Sequence, residues 1–433
     1  MSHEMTRVLT GITTSGTPHL GNYVGAVRPA IAASRAAGVE SFYFLADLHS
    51  LVKVQDAARV QRSTLEIAAT WLAAGLEPDK VWFYRQSDIP EISELNWFLT
   101  CVAGKGVLNR AHAYKASVDR NRAEEQDDDA GISAGLFMYP VLMAADILLF
   151  NADKVPVGRD QVQHIEMARD FGQRFNHLFG GEYFTLPEAA IEENVATLPG
   201  LDGRKMSKSY DNIIPLFAPR EEMRKLIASI VTDSRLPGEA KEAEGSHVFQ
   251  LYQAFASAEE TAQMRQAFAE GIGWGDAKQK LFERIDTEVA PLRERYQALI
   301  AKPAEIESIL RDGARRLREK YATPFLAELR QAVGLRDLSS QPEARDASVQ
   351  KSAPPSFKQY RDTDNRFYFK FLDGNGTLLV QSNGFDSPKE AGQLIAVLKR
   401  SDRADAMETP EINVLVPVQD VLAALERLRD AEA

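Results

Sequence analysis

The chain has 433 residues, of which 44% are hydrophobic and 26% charged, and this predicts an ordinary globular protein of two to four domains. A net charge of -11 excludes a protein that coats nucleic acid non-specifically, although a local basic patch could still bind RNA phosphates. A single cysteine, Cys101, excludes an internal disulfide and a cysteine-rich zinc or iron–sulfur site.

The apolar stretches argue against a membrane protein. The longest of them, residues 136–150, is too short to span a bilayer and contains Asp146. The N-terminus lacks the pattern of a signal peptide, and the lone cysteine fits a reducing compartment. We therefore expect a soluble, cytoplasmic protein without membrane contact.

The first ninety residues alternate between strand and helix patterns. Apolar runs at 7–12, 41–47 and 80–85 predict three strands, and amphipathic segments at 20–37 and 56–74 predict the helices between them. This β-α-β-α-β order predicts an α/β fold with a Rossmann-type parallel sheet, helices on both faces and ligands at the carboxyl ends of the strands.

The later segments predict helices, a linker and a small α+β domain. The acidic run 124–129 is typical of a solvated, mobile loop. Further helices are predicted at 136–150 and 160–176, a strand at 154–157, and an almost entirely helical region at 221–335. A Ser-, Pro- and Asp-rich stretch from 338 to 355 then precedes an alternating segment, 357–381, with a hairpin turn at Gly374-Asn375-Gly376 and a helix at 388–400. We predict a catalytic domain (1–215) with a helical insertion (about 105–175), a helical domain (216–335), a linker (336–355) and an appended α+β domain (356–433).

The strongest chemical signal is Lys205-Met206-Ser207-Lys208-Ser209. Two lysines three residues apart, joined by small hydroxyl residues, form a cationic arm within a loop that contains Gly200, Asp202 and Gly203. Such ammonium groups can neutralise the charge that builds on pyrophosphate when an α-phosphate is attacked. The alternative is an ordinary lysine-rich surface loop.

A second signal, Thr17-Pro18-His19-Leu20-Gly21-Asn22, lies where the first strand leads into the first helix. The helix N-terminus presents free N–H groups and a positive dipole end to a phosphate. Gly21 lets a nucleotide approach the backbone, and His19 and Asn22 can donate hydrogen bonds to phosphate oxygens. Alone, this pattern is equally typical of a simple capped helix.

Together the two motifs resemble the signatures of class I aminoacyl-tRNA synthetases. Residues 19–22 stand where that family has His, an aliphatic residue, Gly and His, and Asn22 is a variant of the tryptophan and tyrosine branches. Residues 205–209 match the second signature without change. The resemblance implies catalytic roles for His19, Asn22, Lys205 and Lys208.

The predicted helix at 136–150 bears on the amino-acid substrate. Met143, Asp146 and Ile147 share one face, which is apolar except for the carboxylate. A buried carboxylate needs a donor, and the indole N–H could supply it, as could a phenol hydroxyl. Tyrosine therefore stays open on this reasoning, and so does a structural pairing of Asp146 with a lysine or arginine.

Several segments between residues 6 and 335 are similar to bacterial tryptophanyl-tRNA synthetases, among them 139–150, 155–164 and 230–234. The resemblance implies that Asp146 accepts the indole N–H and that Gln161 holds the amino or carboxyl end of the substrate. It also implies a mobile phosphate-contacting lysine, Lys115. The remaining tryptophan-binding residues that it implies are Met143, Ile147, His49, Val155 and Val157. The ATP-binding residues that it implies are Thr13, Thr14, Ser15, Gly21, Asn22, Gly158, Arg159, Asp160, Lys205, Met206, Ser207, Lys208 and Ser209.

Some features depart from the family pattern or are equally compatible with an ordinary structural role. Thr13 and Thr14 stand where the family commonly has Gln and Pro, so a substrate contact there is remade by a threonine hydroxyl or lost. His49 could be a simple loop histidine. Asp160, Gln161 and His164 share a helix face, but no further ligand completes a metal site, and we expect no protein-bound metal. The tail after residue 357 resembles small bacterial stand-alone hairpin-and-helix domains.

The resemblance thus implies a tryptophan–tRNA ligase that uses ATP with Mg²⁺, L-tryptophan and tRNA(Trp), and that forms a homodimer. Its helical domain would bind the anticodon, and basic residues there could contact RNA or simply form a solvated helix face: Arg311, Arg315, Arg316, Arg318 and Lys320. The alternatives are a tyrosine enzyme, a nucleotidylyltransferase, and a silent paralogue that binds tryptophan or RNA.

Overall fold

The structure is a computed structural model, which describes residues 5–14, 16–191, 197–335, 354–362, 364–374, 376–401, 407 and 409–432. Ser15 and most of the predicted linker lie outside the described residues, as does the side chain of Asp160. The chain divides into two compact units, 1–336 and 337–433.

The first unit is built on a five-stranded parallel sheet. Its strands are β1 (Thr6–Ile12), β2 (Val39–Leu45), β3 (Trp82–Arg85), β4 (Lys154–Val157) and β5 (Glu188–Ile191). They lie in the order β3-β2-β1-β4-β5, so the direction of winding reverses between β1 and β4. Ligands bind at such a reversal, outside the carboxyl ends of the strands. The predicted α/β fold and its first four strands are confirmed, whereas β5 was not foreseen.

The helix after β1 is irregular. It comprises α1 (Leu20–Asn22), a π-helical turn (Tyr23–Val27) and α2 (Arg28–Ala33), and it ends four residues before the predicted end. A π turn inside a helix often accompanies a functional site. Gly38, at φ +77°, then leads the chain into β2.

The other helices of the first unit include those predicted at 56–74, 136–150 and 160–176, whereas the helices at Asp47–Ser50 and Pro90–Val102 were not foreseen. In chain order the helices are α3 (Asp47–Ser50), α4 (Ala57–Ala73), α5 (Pro90–Val102), α6 (Lys105–Leu108), α7 (His112–Ala123), α8 (Ala134–Leu148), α9 (Val162–Phe179), α10 (Arg220–Ala228), α11 (His247–Phe255), α12 (Ala258–Ala269), α13 (Trp274–Ile300), α14 (Pro303–Leu317) and α15 (Thr323–Ala332). A second π turn, Arg318–Ala322, joins α14 to α15. Short 3₁₀ turns lie at Gln86–Asp88, Arg159–Gln161 and Lys208–Tyr210. Within the described residues, no helix is both long and apolar enough to cross a membrane.

Two expectations for this unit need correction. The region 221–335 is not helical throughout, because residues 229–246 form irregular chain with turns, one of them at Gly238 with φ +88°. The acidic run near residue 127 is non-helical, as predicted, but its side chains form an ion pair and a hydrogen bond with residues of α7. Asp128 pairs with Arg122 at 2.7 Å, and Asp129 accepts a hydrogen bond from the Tyr114 hydroxyl at 2.7 Å.

Hydrophobic side chains cover both faces of the sheet, as the alternation along its strands requires. On one face Ile12, Tyr43 and Phe83 join a cluster that continues through α4 into α10–α14. On the other face Leu9 and Phe42 pack with side chains of α5, α8 and α9. The sheet and the helical region thus share a continuous core, and the predicted domain boundary near residue 215 stays a prediction.

The second unit is an antiparallel sheet with two helices. Its strands are β6 (Ser356–Arg361), β7 (Phe367–Leu372), β8 (Leu378–Ser382) and β9 (Ile412–Val414), in that order in the sheet. The helices are α16 (Pro388–Arg400) and α17 (Val418–Glu432). They pack with Phe369, Phe371 and Val380 in one core. The predicted small α+β architecture is confirmed, and β7 and β8 pair as an antiparallel hairpin. Asn375 of the predicted turn lies outside the described residues, and β9 and α17 were not foreseen.

Candidate active site

His19 begins the helix at the carboxyl edge of the sheet. Its Nδ1 accepts a hydrogen bond from the backbone N–H of Asn22 at 3.3 Å, and its own N–H donates to Asn22 Oδ1 at 3.1 Å. Burial, with a smaller contribution from the charge of Lys208, lowers the pKa of His19 from 6.5 to about 4. His19 is therefore neutral at pH 7, and because Nδ1 is an acceptor the proton lies on Nε2. Asn22 Oδ1 is engaged as well, so its amide N–H₂ remains as a donor.

The lysine loop is held by a buried asparagine that was not foreseen from the sequence. Asn212, 2% exposed, accepts a hydrogen bond from Ser207 N at 2.8 Å. Its amide donates to Asp202 Oδ1 at 2.6 Å and to the carbonyl oxygen of Lys205 at 3.1 Å. One side chain thus fixes both ends of the Lys205–Ser207 segment, directly before Lys208.

The first signature pairs through its backbone with residues 214–216, which follow the lysine loop, and no local pattern shows this pairing. Leu20 N donates to Ile214 O at 3.0 Å, and Leu216 N donates to Pro18 O at 3.0 Å. Gly16, at φ +71°, allows the amine of Lys208 to approach closely, since a methyl group added there would lie 2.8 Å from Nζ. Any other residue at position 16 would push Lys208 away.

Helix α4 contributes a third wall, which was also not foreseen. Ser63 Oγ accepts a hydrogen bond from Gly16 N at 3.3 Å, and Glu66 faces Thr17 at 3.5 Å. Arg59 lies one turn before Ser63 on the same helix face. The pKa of Lys208 is lowered by partial burial and by the nearby charge of Arg59, against the opposing charge of Glu66.

A cavity of about 890 Å³ lies between these elements and the carboxyl ends of β1 and β4. It is large enough for a nucleotide. The predicted catalytic and ATP-binding residues on its wall are Thr13, His19, Gly21, Asn22, Gly158, Lys205, Met206, Ser207, Lys208 and Ser209. Gly16, Pro18 and the predicted substrate residue Val157 also line it.

Asp146 forms a separate polar cluster beside the sheet. The residue is fully buried in α8, and its carboxylate accepts hydrogen bonds from His49 Nε2 at 2.8 Å and from Gln86 Nε2 at 2.8 and 2.9 Å. Burial raises the pKa of Asp146, although the bonds from His49 and Gln86 oppose that rise. The partners of the Asp146 carboxylate are neither lysine nor arginine. The alternative in which Asp146 pairs with a lysine or an arginine is therefore wrong. His49 is buried and hydrogen-bonded in α3, which fits a structural histidine as well as a substrate-binding one, so its role stays a prediction.

Contacts between side chains connect Asp146 with Gln161. The ring of Tyr139 lies 4.4 Å from that of His49 and 5.6 Å from that of His164, between ring centroids. His164 Nδ1 in turn lies 2.8 Å from Gln161 Oε1. The residues predicted to bind the two ends of the amino acid thus belong to one connected cluster, and neither Tyr139 nor Gln86 had been assigned a role.

Comparison with known proteins identifies the family. A family model described as tRNA synthetases class I (W and Y) matches residues 1–290. A tryptophan–tRNA ligase of Xanthomonas axonopodis pv. citri is 70% identical over 434 residues, which cover 100% of both chains. The chain belongs to the tryptophan–tRNA ligase family. A Pseudomonas aeruginosa member is 62% identical over 403 residues, 92% of this chain and 90% of the relative.

A solved structure of the family supports the fold. A Campylobacter jejuni tryptophanyl-tRNA synthetase, complexed with ADP and tryptophan, matches with a TM-score of 0.70 and 39% identity. The match covers 76% of this chain and 100% of that one. A tryptophan–tRNA ligase is an aminoacyl-tRNA synthetase and uses ATP, so the comparisons decide against the tyrosine, nucleotidylyltransferase and silent-paralogue alternatives.

Other predicted residues of this tryptophan–tRNA ligase lie apart from the cavity wall. Val155, Ile147 and Thr14 are buried, and Met143 is partly buried. Lys115 is exposed on α7, and Arg159 is exposed after β4. Ser15 and the Asp160 side chain lie outside the described residues. The roles assigned to all of these residues stay predictions.

The basic residues predicted as a candidate RNA contact are all paired with carboxylates. Arg311 pairs with Glu307, and Arg315 and Arg316 pair with Asp312. Arg318 and Lys320 lie in the π turn after α14. Arg318 pairs with Glu91 of α5, and Lys320 pairs with Glu40 of β2. This arrangement favours a structural role for the cluster over an RNA-binding one.

Proposed function

We propose that the cavity binds ATP and that the two signatures act on its phosphates together. The observation that carries this proposal is the contact between Gly16 and Lys208, supported by the pairing of residues 18–20 with 214–216. The tryptophan carboxylate attacks the α-phosphate in line, and pyrophosphate leaves. His19 Nε2–H and the Asn22 amide donate to phosphate oxygens, while Lys205 and Lys208 neutralise the departing pyrophosphate.

Tryptophan recognition falls to the cluster around Asp146. A carboxylate has about four acceptor positions, and three hydrogen bonds from His49 and Gln86 leave room for one more donor. The indole N–H is such a donor, and we propose that it approaches along the face of α8 that carries Met143 and Ile147. Gln161, in contact with His164, holds the polar end of the amino acid. Because these partners are already in place, little ordering is needed on binding.

We propose that Mg²⁺ enters bound to ATP. Among the described residues that line the cavity, none is a carboxylate, whereas Thr13, Ser207 and Ser209 offer hydroxyl oxygens. Mg²⁺ commonly keeps several waters and binds substrate phosphates, which suits this lining. Bound there, the ion would neutralise phosphate charge during the transfer.

In the second step, a terminal ribose hydroxyl of tRNA(Trp) attacks the adenylate.

We propose that the enzyme works in the cytoplasm as a homodimer. Support for a dimer comes from α5, where Trp97 is 64% exposed and Cys101, one turn later, is exposed too. Exposed tryptophans are favoured at protein interfaces. The single exposed thiol is compatible with a reducing compartment.

The test is ATP–pyrophosphate exchange with each of the twenty amino acids, without RNA. We expect exchange with tryptophan alone, and a fall of about 10²–10³ in rate for Lys208→Met. The control is Lys225→Met, which changes a lysine on α10 outside the cavity wall and should leave exchange unchanged. Exchange that survives in the Lys208→Met variant would contradict the role given to the lysine loop.

A further inference from the structure

The second unit has a sheet face that its own helices do not cover. Along β7, Phe369 and Phe371 face the core, so Tyr368 and Lys370 face the opposite side. The register carries this alternation across the sheet, because Tyr360 lies opposite Tyr368 and Lys358 opposite Lys370. We call the surface formed by Lys358, Tyr360, Tyr368, Lys370, Gln381 and Asn413 the open face.

One row of the open face crosses all four strands. Lys358 of β6 pairs in register with Lys370 of β7, Lys370 with Gln381 of β8, and Gln381 with Asn413 of β9. The row contains two cations, two amides and no carboxylate. Three interstrand steps of about 4.8 Å give it a length of roughly 14 Å. A strip of this length and chemistry suits a short stretch of phosphodiester backbone.

Two tyrosines lie beside the charged row. The rings of Tyr360 and Tyr368 are stacked, with centroids 5.7 Å apart and an interplanar angle of 20°. Lys370 Nζ lies 4.9 Å from the centroid of Tyr360, and Gln381 Nε2 donates to the Tyr360 hydroxyl at 3.0 Å. The Tyr368 hydroxyl donates to Asp364 at 2.6 Å, so this carboxylate is engaged at the end of the sheet. The rings are thus held in fixed positions.

Stability explains the lysine pair only in part: Lys370 gains a cation–π contact with the Tyr360 ring, but the two like charges oppose each other. Like charges directly opposite each other on antiparallel strands are destabilising. A lysine on an edge strand can protect a sheet from aggregation, which would explain Lys358 on β6. It does not explain Lys370, because β7 lies between β6 and β8. A negatively charged ligand would remove the repulsion between the two lysines.

We propose that the open face binds a single-stranded segment of the tRNA substrate. Cations beside fixed aromatic rings are the means by which sheet surfaces bind unstacked RNA, with phosphates on the lysines and bases on the rings. The amides of Gln381 and Asn413 add hydrogen-bonding groups that can contact base edges. Asn413 is exposed and Gln381 partly so. This inference rests on the proposed function, in which tRNA(Trp) is the substrate of the second step, and it deepens that function by giving the second unit a part in tRNA binding.

The experiment measures binding of tRNA(Trp) to the full-length protein over a range of salt concentrations. For Lys358→Gln/Lys370→Gln we expect about tenfold weaker binding at low salt and a salt slope smaller by about 1.4, the value for two single-strand phosphate contacts. Tyr360→Leu should weaken binding about tenfold through lost stacking. Lys358→Arg/Lys370→Arg should bind like the wild type.

The matched control removes two charges from the helix side of the same unit, as Lys389→Gln/Arg427→Gln. Both control residues are exposed, and we expect unchanged binding. Wild-type affinity and slope in the open-face variants would overturn the proposal, as would an equal loss in the control. If the open-face variants bind tRNA(Trp) normally but lose binding to an unrelated single-stranded RNA, the choice of tRNA as the ligand is overturned. ATP–pyrophosphate exchange should stay normal in every variant. This assay therefore distinguishes a failure of the proposed activation reaction from a failure of the proposed RNA binding.

Discussion

Replacing Asn212 by alanine tests whether the lysine loop works through its position. Asn212 fixes Ser207 N and the carbonyl of Lys205, which flank Met206 and precede Lys208 directly. In the alanine variant these backbone groups lose their partner, and the loop can move away from Gly16 and His19. The substitution changes no group that we place on the substrate.

The expected loss of exchange rate in the Asn212→Ala variant has a lower and an upper bound. Loss of hydrogen bonds to buried groups costs about 1–3 kcal/mol, and a displacement of ~1 Å in a catalytic group can cost about 10² in rate. If Asn212 acts only through the lysines, the effect stays below the loss of a transition-state donor, about 10²–10³. We therefore expect the kcat of tryptophan-dependent exchange to fall by roughly 10- to 100-fold, with the KM for tryptophan nearly unchanged.

The assay combines exchange kinetics with a double-mutant cycle. In the Lys208→Met background, Asn212→Ala should slow exchange little further, because the group it positions is already gone. The matched control is Asn176→Ala, since Asn176 is also buried and holds a loop through Tyr183 N and Phe184 N. This control should lower the melting temperature but not kcat. If the fold-losses in exchange rate caused by Asn212→Ala and Lys208→Met multiply in the double variant, Asn212 acts independently of Lys208, and the positioning role is refuted.

Four further variants test the rest of the site. Asp146→Ala should abolish saturable tryptophan binding, measured by calorimetry, while ATP binding remains, and normal tryptophan activation would show that Asp146 is not in the substrate pocket. Arg59→Gln should raise the KM for ATP several-fold in the exchange assay, and an unchanged KM would remove Arg59 from the phosphate site. Trp97→Ala should weaken a homodimer by about 2 kcal/mol or more in sedimentation experiments, whereas a monomeric wild type would contradict the dimer itself. Because the pKa of His19 is lowered to about 4, the unfolded chain binds more protons between pH 6.5 and 4, so folding stability falls as the pH drops through this range. His19→Asn should reduce that fall by roughly 1–2 kcal/mol in denaturant titrations at pH 7 and pH 5, and an identical pH dependence would contradict the lowered pKa.

The fold could be predicted where periodicity and burial agree. Strand β2 illustrates this, because its buried run 41–45 was predicted as part of a strand. Strand β4 was also predicted with its observed bounds, 154–157, although it contains Lys154 and Pro156. The predictions failed where tertiary contacts replace local preference. The π turn at Tyr23–Val27 continues a helical pattern. Residues 229–246, by contrast, contain Pro237-Gly238, a turn signal that the prediction of an almost entirely helical region overlooked. Strand β9 has three residues and gains its hydrogen bonds only from β8.

The site was predictable only as far as its residues are neighbours in sequence. Residues 19–22 and 205–209 each form a recognisable string, whereas Asn212, Ser63 and Gln86 act across loops or from other elements. Two of these residues did carry a positional signal. Gln86 directly follows β3, at the ligand-binding edge of the sheet, and Asn212 closes the loop that contains the lysines.

The electrostatics of the site connect its stability with its function. Lys208 and His19 both have lowered pKa values, because burial and neighbouring positive charge disfavour their charged forms. Arg59 adds to the positive charge, while Glu66 is the carboxylate that opposes it at Lys208. A bound triphosphate would reverse this balance, since its charge favours the protonated form of every neighbouring base. Under the proposed mode of ATP binding, the charge of Lys208 carries an electrostatic cost in the free enzyme that the triphosphate removes, so the same lysine would serve both binding and catalysis.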